Sequence, residues 1–315
     1  MKESEIYNFT IEADYPVRLD KLLASHFPEY SRTTIQKWIN NNHILINGKP
    51  CLQKDIIKKA SNVQVTAHFE SELNLIPEDI PLDIIDETDD YIVINKPSGI
   101  VTHVAPGNYQ GTLQNAIYFK YPELSKVPRT GIIHRLDKDT SGIIVIARTS
   151  LYHNYLTEQL HDKKFTKIYH ALVSGVVDQK ININEKIGRH PINRKKMSIS
   201  NKGKDAQSII SPMMNYQRAS HLQIQIITGR THQIRVHLSH IAHPIIGDKL
   251  YGFKKNIFMK NDKIMNTLCS KFNQYLHAYS LSFYDMKSRL KKTYVAEYPP
   301  EYKNLKRVLE NENNH

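Results

Sequence analysis

The sequence predicts an α+β protein of two units. A small module over residues 17–68 carries two short helices followed by short strands, and a larger domain over 83–309 interleaves strands with helices. Three observations lead to that reading. Ile35, Trp38 and Ile39 recur at i, i+3 and i+4, the spacing of one helix face. Beyond residue 83 the apolar residues alternate or run continuously, as strands do. Between the two lies an acidic stretch, 69–82, with two prolines and neither periodicity, which reads as a linker. The length of 315 residues suits about two domains at roughly 100–200 residues each.

In the first unit, a short helix opens at 17–23 and is stopped near Pro28. Ser31 is expected to cap a second helix, on which Arg32 and Lys37 lie off the apolar stripe. Residues 43–49 form a strand entering an Asn47-Gly48 turn, a strong hairpin signal, and 63–66 alternate as another strand. In the second unit, 91–95 read as a strand ending in a turn at 96–99, and 142–147 as a buried central strand. Residues 167–173 form a strand with Lys167, Tyr169 and Ala171 on one face, and 222–226 alternate cleanly. Helices are expected around 112–120, 150–161 and 234–243. Ile234, Leu238, Ile241 and Ile245, spaced 4, 3 and 4, make one buried stripe that leaves Arg235 on another face. Residues 310–315 read as a frayed polar tail.

Forty-three Lys and Arg against 31 Asp and Glu give a net charge of +12, but the excess is uneven. Residues 1–130 sum to −4 and residues 131–315 to +16, as expected if one surface of the second unit faces a polyanion such as nucleic acid. The two cysteines, Cys51 and Cys269, are far apart, which excludes a disulfide scaffold and a zinc cluster built on thiolates. No stretch reaches the ~18 apolar residues of a membrane span, and the first residues do not open a signal peptide, so a cytoplasmic protein is expected.

The segment 131–142 carries the densest chemistry. Seven polar or charged residues bounded by glycines separate an apolar lead-in from a buried strand, which places a loop with Asp137 and Asp139 on the rim of a sheet. By composition alone it is equally a surface turn with local ion pairs. His232, His237, His240 and His243 cluster at spacings of 5, 3 and 3 without accompanying thiolates or nearby acids before Asp248, which favours polar histidines around a helix that faces a polyanion over a metal site. Residues 188–196, with Arg189, Arg194, Lys195 and Lys196, form a basic loop suited to contact with a polyanion.

The run His134-Arg135-Leu136-Asp137-Lys138-Asp139-Thr140-Ser141-Gly142 resembles the signature of the RluA family of pseudouridine synthases. Lys167-Ile168-Tyr169-His170-Ala171 is similar to that family's second motif. Thr228-Gly229-Arg230-Thr231-His232-Gln233-Ile234-Arg235, followed by 243–252, is similar to its third. Asn95-Lys96-Pro97-Ser98-Gly99 with His103 also matches, although Val104 stands where relatives have proline, and 203–206 read Gly-Lys-Asp-Ala where relatives have Gly-Lys-Pro-Ala. The first unit, with Arg18-Leu19-Asp20-Lys21-Leu22, Ser31-Arg32, Ile35 and Ile46-Asn47-Gly48, resembles the S4-type RNA-binding domain.

The resemblance implies a largely antiparallel catalytic sheet and the isomerisation of uridine to pseudouridine in RNA, with no cofactor and no metal. It makes Asp137 the essential carboxylate and Asp139 a structural loop acid. Tyr169 would stack on the uracil, and Arg235 would pair with Asp137 and keep it ionised. Arg135 would enter the space that the flipped base leaves. His134, Lys167 and Arg230 would serve the substrate, Ile245 would pack against the uracil, and Arg32 and Lys37 would meet RNA phosphates. Domain order and local wording point to the members that act on large-subunit (23S) ribosomal RNA, of D type. The alternatives are the C-type paralogue and a non-catalytic RNA-binding or ribosome-assembly protein.

Overall fold

The computed structural model describes residues 4–13, 15–27, 30, 32–68, 75–105, 107–254 and 274–312. Pro28, Ser31, Cys269 and residues 69–74 of the expected linker lie outside the described residues.

The N-terminal unit contains β1 (Ser4–Ile11), β2 (Val17–Arg18), α1 (Leu19–His26), α2 (Arg32–Asn40), β3 (Ile44–Ile46), β4 (Lys49–Pro50), β5 (Ile56–Ile57) and β6 (Ser61–His68). The helix pair and the hairpin stand where the sequence puts them. Asn47 and Gly48 both have positive φ, 49° and 75°, as the tight turn between β3 and β4 requires. The unit reaches further back than residue 17, because β1 pairs antiparallel with β6 along its whole length. Asp20 holds the helices together. Fully buried, it accepts hydrogen bonds from Arg18, Arg32 and Gln36. Burial pushes its carboxyl up, but those bonds outweigh burial and hold it at about 2.

The larger unit is built from β7 (Ile84–Glu87), β8 (Tyr91–Lys96), α3 (Leu113–Lys120), β9 (Ser141–Ala147), α4 (Ser150–His161), β10 (Thr166–Ser174), β11 (Ile181–Asn184), β12 (Ile187–Arg189), β13 (Met197–Ile199), β14 (Gln207–Asn215), β15 (Ala219–Ile226), α5 (Gln233–His240), β16 (Leu276–Tyr284), β17 (Lys291–Val295) and α6 (Pro300–Glu312). One nine-stranded sheet runs in the order β11-β14-β15-β10-β16-β9-β8-β7, with β17 added alongside β16. Every pairing in it is antiparallel except β9 with β16. That parallel contact needs Gly142, since a Cβ there would lie 2.2 Å from the Ala278 carbonyl oxygen.

Two expectations are corrected. Residues 310–312, expected to begin a polar tail, instead complete the helix Pro300–Glu312, whose Tyr302, Leu305 and Leu309 are fully buried in the core with residues of the sheet, while 313–315 lie outside the described residues. Helix α5 ends at His240, and Ala242 turns the chain into the left-handed region at φ 63°, so Ile245 belongs to the following segment. Its six N-terminal residues, Gln233 to Leu238, are all buried, Arg235 included, so the helix has no separate polar face there.

The strands alternate between two environments. Tyr169 faces a cleft, whereas His170 faces the opposite layer with His221 of β15 and His277 of β16, among the rings of Tyr279, Tyr298 and Tyr302. The Tyr298 hydroxyl bonds His170 Nδ1, and Ser141 Oγ lies 2.8 Å from His277 Nδ1. Burial lowers His170 and His277 to about 4 and His221 to about 3. An unfolded chain protonates such rings near 6.5 while the folded protein keeps them neutral, so their contribution is complete above 6.5 and is lost as pH falls toward 4. The melting temperature should therefore decline steadily between pH 6.5 and 4.5, above the range in which ordinary carboxylates titrate. A flat profile over that interval would contradict this account.

Candidate active site

A cleft of about 460 Å³ opens where the loop before β9, the start of β10, the end of β15 and the N-terminus of α5 meet. Its lining brings together Arg135, Asp137, Lys167, Tyr169, His232 and Arg235, residues up to 100 positions apart in the chain.

The loop 132–140 is clamped from one side by the turn after β8. Lys96, fully buried, donates from Nζ to the carbonyl oxygens of Pro97 (2.7 Å), Ile100 (2.9 Å) and Lys138 (3.1 Å). Burial draws its ammonium down to about 7, against the pull of Asp139 and Asp137. Gly99 N–H also donates to the Lys138 carbonyl, and Ser98 Oγ to that of Asp139. Thr102 Oγ1 donates to the Leu136 carbonyl and accepts from the Leu136 N–H. The segments 95–99 and 134–142 thus form one device, with Asp137 at its crest.

Helix α5 supplies the opposing charge. Its start is fixed by Gln233, which accepts from Arg230 N–H and Thr228 Oγ1 and donates to the Gln207 carbonyl. Two residues on, Arg235 is only 9% exposed and spends all three guanidinium nitrogens on carboxylates. Nε and Nη2 donate to Asp248 at 2.6 and 3.0 Å, and Nη1 donates to Asp137 Oδ2 at 3.1 Å. Burial works against its charge, but Asp248 and Asp137 outweigh that and push its pKa up. The guanidinium also stacks 4.7 Å from the centre of the Tyr251 ring. Tyr169, 9% exposed, forms one wall; burial and then the charge of Asp137 raise its phenol, which keeps it protonated.

A model of the RNA pseudouridylate synthase family matches residues 90–240, and an S4 domain model matches residues 17–63. The ribosomal large subunit pseudouridine synthase D of Salmonella typhimurium is 39% identical over 290 residues, covering 91% of this chain and 89% of that one. The chain belongs to the RNA pseudouridine synthase family. The synthase is also 38% identical over 294 residues to the enzyme of that name from Escherichia coli K12, covering 93% and 90% of the two chains. In fold it is similar to the solved human RNA pseudouridylate synthase domain containing 4, with a TM-score of 0.57 at 20% identity over 72% of this chain and 93% of that one.

Within the synthase, the cleft gathers Asp137, Tyr169, Arg235, Lys167, His134, Arg135 and Arg230. Arg135 is exposed at the rim. His134 accepts the Val145 N–H on Nε2, and burial, then the charge of Lys167, holds the ring at about 3, so it is a neutral brace for the loop. Arg230 is exposed and donates from Nε to the Asp205 carbonyl. Ile245 is not brought to the cleft: it is 1% exposed and packed into the core beside β10, while Leu136, Ile226, Ile234 and Leu276 supply the apolar lining. Arg189 stands on the exposed β12–β13 hairpin. Arg32 and Lys37 belong to the N-terminal unit, and the ion pair of Arg32 with Asp20, at 2.6 Å, makes it part of the helix packing there. The histidines do not surround an outward face, since His237 is fully buried on Ser208 Oγ and His243 Nδ1 lies 3.0 Å from the Ser174 carbonyl.

Asp248, Tyr251, Lys96 and His232 make contacts at the site that the sequence alone does not predict. All four lie inside segments that resemble family motifs, but an Asp–Arg contact spanning 13 residues and a Lys on three carbonyls have no periodic signature. Replacing Lys96 by Met should leave three backbone carbonyls each one donor short and cost about 1–3 kcal/mol of stability, seen as a lowered melting temperature together with loss of activity as the Asp137 loop is released. An unchanged melting temperature would show that Lys96 does not fasten the loop.

Proposed function

We propose that this protein isomerises uridines of large-subunit (23S) ribosomal RNA, free or within the subunit or its precursor, to pseudouridine in the cytoplasm, using Asp137 and no metal or cofactor. The reading rests on one observation above the others: the three motif residues, Asp137, Tyr169 and Arg235, converge in a single cleft with a carboxylate held by a buried guanidinium. The names of the relatives supply the substrate class.

The reaction breaks N1–C1′, lets the uracil turn while held, and joins C5 to C1′; the proton on C5 is then lost and N1 takes one up, so the product is an isomer of the substrate. A uridine inside RNA structure must leave the stack first, at a cost of a few kcal/mol. Arg135, exposed at the mouth of the cleft, is placed to fill the vacated space, where a planar guanidinium both stacks and donates. The extruded base enters between Tyr169 and the apolar residues of the lining, which suit a flat ring free to rotate but not to escape. Asp137 then acts on the sugar or the base, its carboxylate oriented by Arg235. Outside the cleft, the net charge of +16 over residues 131–315, including the β12–β13 hairpin with Arg189, attracts the RNA backbone, and Arg32 and Lys37 of the S4 domain extend that contact.

Asp137→Asn should abolish pseudouridine formation on a transcript of the candidate stem-loop while leaving RNA affinity within about three-fold, because the amide keeps the shape and loses the charge. Full activity in that variant would remove Asp137 from the mechanism. Turnover should persist in excess EDTA after dialysis, and its loss, restored by a divalent ion, would make the enzyme metal-dependent.

A further inference from the structure

His232 faces the reacting carboxylate, and the chemistry assigned to the three motifs does not use it. Its backbone is left-handed, φ 55° and ψ 21°, at the residue just before α5, a conformation that costs a non-glycine residue free energy and is kept where surroundings impose it. That turn aims the ring at Asp137, with Nε2 3.8 Å from Oδ2. On the other side, Nδ1 lies 2.7 Å from the Tyr251 hydroxyl. Tyr251 Oη already accepts the Met197 N–H at 2.8 Å, so its own proton is the one directed at Nδ1. Nδ1 is then an acceptor, and the neutral ring carries its hydrogen on Nε2, toward Asp137. Burial, opposed by the charge of Asp137, keeps the ring below the ordinary histidine range and therefore neutral.

Arg235 Nη1 reaches the same oxygen, Oδ2. Among the described residues, every hydrogen bond and ion pair of the Asp137 side chain falls on Oδ2. We propose that His232 is a positioning residue for Asp137: held as the Nε2–H tautomer by Tyr251, it joins Arg235 on Oδ2 and leaves Oδ1 as the oxygen that acts on the uridine. The 3.8 Å separation exceeds a hydrogen bond, and the bound substrate closes it, as happens to catalytic contacts that are long in the free enzyme. Tyr251 thereby serves twice, with its ring beneath Arg235 and its hydroxyl on His232. The inference rests on the pseudouridine-forming reading above.

The test is steady-state pseudouridine formation on a large-subunit rRNA stem-loop transcript by the full chain and by His232→Ala, His232→Gln, Tyr251→Phe and the His232→Ala/Tyr251→Phe double variant, with melting temperatures alongside. His232→Ala should lower kcat by roughly ten-fold or more with KM within about two-fold, since the contact matters in the transition state and not in binding. His232→Gln, whose amide nitrogen reaches as far as Nε2, should restore most of that rate. Tyr251→Phe keeps the ring and should lower kcat in the parent but not further in the His232→Ala background. An unaffected kcat in His232→Ala, a loss that follows the melting temperature and is not restored by Gln, or additive losses in the double variant would each overturn the proposal while the parent remains active. A parent that forms no pseudouridine would overturn the functional reading and this inference with it.

Discussion

Arg235 carries a full positive charge at a position only 9% exposed, and a charge so far removed from water is stable only where carboxylates and hydrogen bonds replace its hydration. Asp248 grips two of its nitrogens and Asp137 takes the third, while the guanidinium sits over the ring of Tyr251. The rest of the site follows from that requirement. Helix α5 must begin where it does, so Gln233 ties its first turn to β14. The loop after β8 must hold Asp137 within reach, so Lys96 and Thr102 donate to the carbonyls of its neighbours Lys138 and Leu136. Removing one member of such a set leaves an uncompensated buried charge, and for that reason the motif residues act as one unit.

The fixed pair also explains the division of labour between Asp137 and Asp248. Asp248, 3% exposed, is fully committed to Arg235 and to the backbone of Tyr251, and it faces away from the solvent side of the cleft. Asp137 has a single hydrogen bond to Arg235 and a partly exposed carboxylate, 19% of its side chain, so it is the acid with capacity left for a substrate. Asp139 has no comparable anchor from Arg235 and contributes its backbone carbonyl to Ser98.

Much of this was legible in the sequence, for physical reasons that differ by region. Strand β9 and the alternation of β15 announce themselves because burial on one or both faces leaves a periodic trace. The convergence of Asp137, Tyr169 and Arg235 was readable only through motif resemblance, since no local pattern links positions 98 residues apart. Strand β1 escaped because its pairing with β6 is nonlocal, and α6 because its apolar residues sit among charged ones. The end of α5 leaves a misleading trace for a different reason: Ile241 and Ile245 continue the 3–4 spacing past the point where Ala242 reverses the backbone. Lys96 on three carbonyls and Tyr251 on His232 leave no sequence trace beyond the motif letters, because hydrogen bonds to backbone depend on where the chain folds back.

The central claim, that Asp137 converts uridines of large-subunit ribosomal RNA to pseudouridine, is tested most directly in cells. Pseudouridines would be mapped in ribosomal RNA from cells that contain this protein, cells that lack it, and cells in which only the Asp137→Asn form is made. The account predicts that a defined set of large-subunit positions loses its pseudouridine in the second and third cases alike. Identical maps in all three, or restoration of those positions by the Asp137→Asn form, would contradict it.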